Sequence, residues 1–303
     1  MLRIKGSSKI YSIRRQRIVF GLCILIPVFT FFVIIRVFPI LATLLLSFFD
    51  WGLVNPTRPF IGFKNYIDLF NDPLFVIALR NTGVLAFLSV IVTIAIAFGL
   101  ALILNRRKAK FADIYKLIYF VPFVISWVPV SVIWKWIYDP TYGILNYVVS
   151  LVGISRQGWL VNPKLSLYSI IILIIWRSAG FNIILFSVGL KNIPSEYLEA
   201  GRIDGAGDIS LFRHITLPLL KPIILYIFIM TSIINFSIFS PVFIMTTGPQ
   251  GAQGNAVRVL VYDIYENAFR YLHMGYAAAE STILLILVIF LTLIAFKLIK
   301  QEA

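Results

Sequence analysis

The sequence predicts an all-α membrane protein with six transmembrane helices, cytoplasmic N- and C-termini, and a cytoplasmic helix-turn-helix between the fourth and fifth spans. Three observations predict it. Hydrophobic residues make up 60% of the 303 and charged residues only 13%, whereas soluble chains carry roughly 45–50% and about 25%. A water-soluble fold cannot hide that much apolar surface, so lipid is the solvent for most of it. Six apolar stretches reach the about 20 residues that a helix rising about 1.5 Å per residue needs to cross a hydrocarbon core about 30 Å thick. They are Ile18–Phe49, Thr82–Leu104, Ile114–Tyr138, Leu165–Leu190, Leu219–Met245 and Gly275–Phe296. The basic residues then set the orientation. With the N-terminus inside, seventeen lysines and arginines fall on cytoplasmic pieces and eight on the opposite side, while the acidic residues divide evenly. That asymmetry is what the positive-inside rule expects.

Residues 1–17 form a basic N-terminal segment ahead of the membrane domain, 18–303. The apolar run of the first span is too long for a signal peptide and ends in no small-residue cleavage site, so it reads as a retained span. Arg36, ahead of Pro39 in this overlong helix, reads as close to the outer interface. Trp127, Trp134, Trp136 and Tyr138 crowd the outer end of the third span, which suits an interfacial aromatic belt with Lys135 snorkelling outward. One cysteine, Cys23, excludes a disulfide within the chain and a multi-cysteine metal site and fits an apolar filler. His214 and His273 are too far apart for a metal motif. The sequence contains no G-x-x-x-x-G-K-[ST], so this chain cannot cradle a nucleotide by a P-loop. No echo of one half in the other supports inverted repeats.

The segment Pro194–Pro222 is the most informative. Ser195 is placed to cap a helix whose first turn holds Glu196 and Glu199, where carboxylates favour the positive end of the macrodipole. Asp204-Gly205 is a turn signal. Asp204 is then placed to cap a second short helix over about Gly205–His214, which Pro218 ends before the fifth span.

Glu199-Ala200-Gly201, Gly205 three residues on, then Ile215 and Leu217-Pro218 resemble the pattern E-A-A-x3-G-x9-I-x-L-P. That is the signature loop of permease subunits in binding-protein-dependent ABC importers. One residue departs: Gly201 replaces the second alanine, at a cost of up to about 1 kcal/mol of helix propensity. Asp204-Gly205-Ala206 with Phe212 downstream is similar to the carbohydrate-type branch, which takes oligosaccharides, other glycosides or glycerol phosphates. Trp51, Gly62-Phe63-Lys64-Asn65-Tyr66, Asp72-Pro73, Asn81-Thr82, Tyr142-Gly143-Ile144-Leu145-Asn146 and Thr246-Thr247-Gly248-Pro249 resemble that branch's outer segments, in order along the chain.

The resemblance implies a second homologous permease as partner, two cytoplasmic ATPase subunits that hold the ATP and Mg, and an extracytoplasmic solute-binding protein. It places the chain in a prokaryotic cytoplasmic membrane, binding no cofactor of its own and using Glu199, Ala200, Gly201, Asp204, Gly205, Ala206 and Phe212 (within a coupling loop, 191–218) to engage the ATPase. It also implies substrate contact by Asn235 in the fifth span and Tyr119 in the third. Arg177, beside Trp176 in the fourth span, is a further substrate-path candidate; a charge in lipid is costly and marks either function or a pairing inside the subunit. For Asn182 and Glu280, helix–helix hydrogen bonding is the default. Two other classes stay in view. An ion-coupled secondary transporter would want intramembrane carboxylates, and only Glu280, near a span end, offers one. An intramembrane enzyme would need a nucleophile–base or metal set that the sequence does not contain.

Overall fold

The computed structural model describes residues 6–54, 57–105, 111–247 and 254–300. Of the residues used above, Arg3, Lys5, the cluster Arg106, Arg107, Lys108 and Lys110, and the Gly248-Pro249 pair lie outside them. The first span begins as α1 (Gly6–Phe32), widens into a π-helical turn over Val33–Val37, and continues as α2 (Phe38–Leu46). The wide turn lies just ahead of Pro39. A proline has no N–H for the preceding carbonyls, and the π register lets the Phe38 N–H reach Val33 O instead. Arg36 stands exposed on this turn.

Beyond α2 the chain doubles back through an isolated bridge between Phe49 and Phe60 into α3 (Lys64–Asn71). Asn65 fixes the return: its Nδ2 donates to Ser47 O at 2.8 Å and Phe49 O at 3.0 Å. Asp72 caps α4 (Pro73–Leu104) by accepting the Leu74 N–H at 2.8 Å, and accepts the Tyr276 hydroxyl at 2.8 Å on its other oxygen. The short motifs of this outer loop therefore act as ties between elements.

The third span is not one helix. It consists of α5 (Ala112–Val124) and α6 (Trp127–Ile137), bent by 100° at Ile125-Ser126. After α7 (Ile144–Leu151) comes α8 (Ser166–Lys191), then α9 (Ser195–Ile203), α10 (Asp208–Leu211), a π-turn over Phe212–Thr216, α11 (Leu217–Phe236) and α12 (Ser240–Thr246). Short α13 (Leu260–Tyr265) leads through a π-turn, Glu266–Arg270, to α14 (Met274–Lys300). Among the described residues five helical stretches are long and apolar enough to cross a membrane, and the bent pair, taken as one span, makes a sixth. Among the described residues there is no β-strand.

Buried and peripheral spans separate cleanly. In the most apolar stretch of α8, 67% of residues are buried inside the chain; in that of the first span, none are. α8 packs along α4 and carries the small residues Ser178, Ala179, Gly180, Ser187 and Gly189, which let neighbouring backbones approach. One core cluster joins Leu85 of α4 to Ile170, Ile171 and Ile174 of α8 and Val242 and Met245 of α12. A second joins Ala97 and Ala101 to Ile183, Phe186 and Ile227.

The aromatic belt is corrected in three of its four members. Trp127 and Trp134 pack against the core, and Tyr138 is 1% exposed with its hydroxyl donating to Ser169 O at 2.8 Å. Only Trp136, 69% exposed, faces out. Lys135 does not snorkel freely: its ammonium donates to the carbonyls of Thr247 and Ile244, at the C-terminal end of α12. A cation there meets unpaired carbonyls and the negative end of the helix dipole.

Candidate functional site

The α9–α10 turn is built by a helix C-cap. The Ala206 N–H donates to Gly201 O at 2.9 Å and the Gly205 N–H to Arg202 O at 3.0 Å. That pair of bonds defines a Schellman motif, which needs a left-handed residue just past the helix end, usually glycine. Gly205 supplies it with φ +82°. The turn at Asp204-Gly205 is therefore where the sequence places it, but the caps differ. Pro194, not Ser195, occupies the N-cap of α9, and Ser195 makes no capping bond. Asp204 closes α9, while α10 starts at Asp208 after Gly207. Glu199 falls mid-helix, leaving Glu196 alone in the first turn. Pro218 does not stop the helix: the π-turn over Phe212–Thr216, with the Leu217 N–H on Phe212 O, carries it straight into α11.

Glu199, Ala200, Asp204 and Gly205 are exposed, whereas Gly201, Ala206 and Phe212 are half-buried. Gly201 has a packing reason. A Cβ there would come within 2.6 Å of Leu211 Cδ2 and 3.1 Å of Ile215 Cδ1, so the missing methyl is the space those side chains occupy. Phe212 lies 5.9 Å from the Phe98 ring of α4, which in turn lies 5.1 Å from Phe186 of α8. The turn is thus linked through tilted ring contacts to the two central spans. A cavity of about 1000 Å³ opens beside it, lined by Asn105, Leu190, Glu199, Arg202 and Phe212 among others. Flanking the turn, Ile203 and Ile209 are 86% and 84% exposed.

The break in the third span forms a second constellation. Within a continuous helix Pro129 would face the carbonyl of Ile125, to which it can give no N–H and with which its ring collides. Breaking at Ile125-Ser126 relieves the clash and frees carbonyls in a low-dielectric setting, where an unsatisfied one is costly. Arg177 of α8 takes them up. Its Nη2 donates to Phe123 O at 3.0 Å and Ile125 O at 2.9 Å, its Nε donates to Ile125 O at 3.2 Å, and its guanidinium sits 4.0 Å from the Trp127 ring centroid. Tyr119, 39% exposed, lies one and a half turns before the break. Its carbonyl lies against α8: a Cβ on Gly180 would lie 1.8 Å from Tyr119 O. Sequence reasoning missed Gly180 and Pro129. The signals were a Ser178-Ala179-Gly180 run in an otherwise bulky span and a second proline seven residues after Pro122.

Asn235 lies elsewhere. It is 0% exposed, and its Nδ2 donates to Ser89 Oγ of α4 at 2.7 Å, tying α11 to α4. Its Oδ1 has no partner. Ser89 keeps its own acceptors, Leu85 O at 2.5 Å and Ala86 O at 3.1 Å. Asn235→Leu therefore removes one hydrogen bond, about 0.5–1.5 kcal/mol net, together with a buried unpaired oxygen. The expected result is normal assembly and transport within about twofold of wild type, checked by uptake into vesicles and size-exclusion of the complex. A tenfold loss of uptake with intact assembly would return Asn235 to the substrate path. Asn182 bonds within its own helix, donating to Ser178 O at 3.0 Å rather than across helices. Glu280 is fully buried and accepts from Asn267 Nδ2 at 3.1 and 3.2 Å.

Residues 97–302 match the model of the family described as "Binding-protein-dependent transport system inner membrane component". The chain is 33% identical over 268 residues to the arabinooligosaccharides transport system permease protein AraP of Bacillus subtilis, covering 88% of this chain and 84% of that one. It is 32% identical over 295 residues to the lactose transport system permease protein LacF of Rhizobium radiobacter, covering 96% and 97%. The fold is similar to a chain of a bacterial ABC transporter involved in the import of the acidic polysaccharide alginate, with a TM-score of 0.81 at 23% identity over 96% and 98% of the two chains. With the family matched over more than half its length, this chain belongs to the inner membrane components of binding-protein-dependent transport systems.

Proposed function

We propose that this chain is a permease subunit of a sugar importer, multi-pass in the cytoplasmic membrane, and that it forms an alternating-access path with a second, homologous permease. Separate ATPase subunits dock on α9 and α10 and hold the nucleotide and Mg; an extracytoplasmic solute-binding protein delivers the sugar on the opposite side. The basic residues favour cytoplasmic termini, which puts the α9–α10 turn on the ATPase side. The observation that carries the reading is the pair Ile203 and Ile209, each more than four-fifths exposed beside the Schellman turn. Two isoleucines held in water at a rigid turn gain about 1.5–3 kcal/mol each when a partner covers them. Around them Glu199, Ala200 and Asp204 form the exposed docking surface, Gly205 and Ala206 the C-cap that fixes its shape, and Gly201 and Phe212 the contacts that pass movement to α4 and α8. The sugar path follows the exposed face of α5 past Tyr119 toward the break, where Arg177 holds the two half-helices. Asn235 supports this path from behind by tying α11 to α4.

The testing experiment is ATP hydrolysis. The purified chain, free of other polypeptides, is expected to hydrolyse no ATP; the complex with its ATPase is expected to turn over and to be stimulated by the loaded binding protein. Stoichiometric turnover by this chain alone would sink the reading. The ion-coupled alternative has no support in the geometry, because its one carboxylate, Glu280, is sealed from solvent and engaged with Asn267.

A further inference from the structure

The structure sorts the cations assigned to the outer side. Lys135 is held by carbonyls of α12, Arg258 pairs with Asp263, Arg270 pairs with Glu266 at 3.0 Å, and Arg58 lies 4.3 Å over the Trp51 ring. Among the described residues the side chains of Lys64, Arg80, Arg156 and Lys164 have no such partner, and two of these four, Arg80 and Lys164, line one cavity of about 660 Å³. One wall is a single face of α4, where Ile77, Arg80, Asn81 and Val84 follow helical spacing. Lys164, two residues ahead of α8, and Tyr168 in its first turn form the second, and the turn at Asn255-Ala256 the third. Asn81 fixes that third wall by donating to Asn255 O at 3.1 Å, Ala256 O at 3.2 Å and Arg258 O at 2.9 Å. Among the described residues no carboxylate lines the cavity, and both cations are exposed.

Two unneutralised like charges at the mouth of a hydrogen-bonded recess repel one another and attract an anion. Arg80 adds a planar fork suited to a carboxylate. Lys164 and the 255–256 turn belong to connecting segments rather than to spans, which places much of the rim among loops rather than along the lipid-facing helices. We infer that this cavity receives an acidic side chain of the extracytoplasmic solute-binding protein when it docks. The inference rests on the importer reading above and adds to it the place and the charge of the contact.

The test uses the assembled transporter in lipid nanodiscs and its cognate solute-binding protein, titrated while ATP hydrolysis is followed at about 50 and 300 mM salt. Arg80→Glu and Lys164→Glu are expected to raise the half-saturating concentration of binding protein at least about tenfold and to flatten its salt dependence. Arg156→Glu, a charge reversal outside the cavity, is expected to leave it within about twofold. Wild-type half-saturation in both cavity variants, with the wild-type complex still stimulated, would overturn the inference and leave the importer reading standing. An equal shift in Arg156→Glu would also overturn it, by reducing the effect to net charge. So would a shift that vanishes in nanodiscs without anionic lipid, which would assign the cavity to a headgroup phosphate. Absence of stimulation in the wild-type complex would take down both.

Discussion

Gly180→Leu is expected to abolish recovery of folded transporter. A Cβ at that position would lie 1.8 Å from Tyr119 O, 2.4 Å from its carbonyl carbon and 2.9 Å from Phe120 Cα. All three are backbone atoms, so no side-chain rotation relieves the clash and α5 itself must move away from α8. Overpacking a tight interface costs about 1–3 kcal/mol even where neighbours adjust, and here the adjustment also pulls Phe123 and Ile125 off Arg177, which holds them at 3.0 and 2.9 Å. Those carbonyls would then be unsatisfied in an apolar setting, a further penalty of about 1–3 kcal/mol. Gly180→Ala adds the same Cβ without the longer side chain and is expected to assemble with a lowered melting temperature. Gly99→Ala, in a span but with nothing within 4 Å of the added atom, is the control and should behave as wild type. Size-exclusion of a fluorescent fusion and its thermal midpoint read the outcome; wild-type behaviour of both Gly180 variants would mean that α5 and α8 do not meet here.

Gly205→Val is expected to insert normally and yet lose the ATPase, or bind it without coupling, with substrate-stimulated hydrolysis down at least about tenfold. No atom lies within 4 Å of a Cβ at 205, so the penalty is purely one of backbone conformation. An L-residue in the left-handed region costs about 1–2 kcal/mol, and a β-branched one is a clear outlier there. The Schellman bonds of Ala206 and Gly205 then open, and Ile203 and Ile209 lose their fixed separation. Gly205→Asn separates conformation from contact, because asparagine tolerates positive φ; it is expected to recover much of the coupling that valine loses. Glu199→Lys should weaken docking for a different reason, charge reversal on an exposed face. Since Glu199 lies mid-helix, little of its effect comes from the helix dipole, which acts within the terminal turns. Co-purification of the ATPase with each variant and stimulated hydrolysis in the reconstituted complex decide the matter. Wild-type recovery and coupling in Gly205→Val and Glu199→Lys together would mean that the α9–α10 turn does not transmit.

The features legible in the sequence are those with local causes. The number of spans follows from apolar length, because a bilayer imposes that length on each segment independently of the others; their boundaries do not, since α4 begins at Pro73, nine residues before Thr82, and the third span breaks at Ile125-Ser126. The turn at Asp204-Gly205 was legible because a helix C-cap is closed by its own residues within six positions, whereas the packing of Leu211 and Ile215 against Gly201 was not. The expected caps at Ser195 and Asp204 differ from those found, Pro194 and Gly207, because Asp204, Gly205, Gly207 and Asp208 can each begin the second helix and Ser195 lies one residue inside the first. Pro218 was misread because a proline's cost depends on whether the preceding turn can widen, and the π-turn at Phe212–Thr216 does so.

What the sequence by itself determined is a six-span helical chain with its basic residues biased to one side and a turn at Asp204-Gly205 between the fourth and fifth spans. Only the tertiary structure decided what the polar groups inside those spans do. Arg177 closes a break made 52 residues earlier, Asn235 reaches a serine 146 residues away, and Gly180 yields space to a carbonyl on another helix. In hydrocarbon an unpaired polar group is costly. Hydropathy registers that the group is there, while its partner is chosen by which helices come to lie side by side.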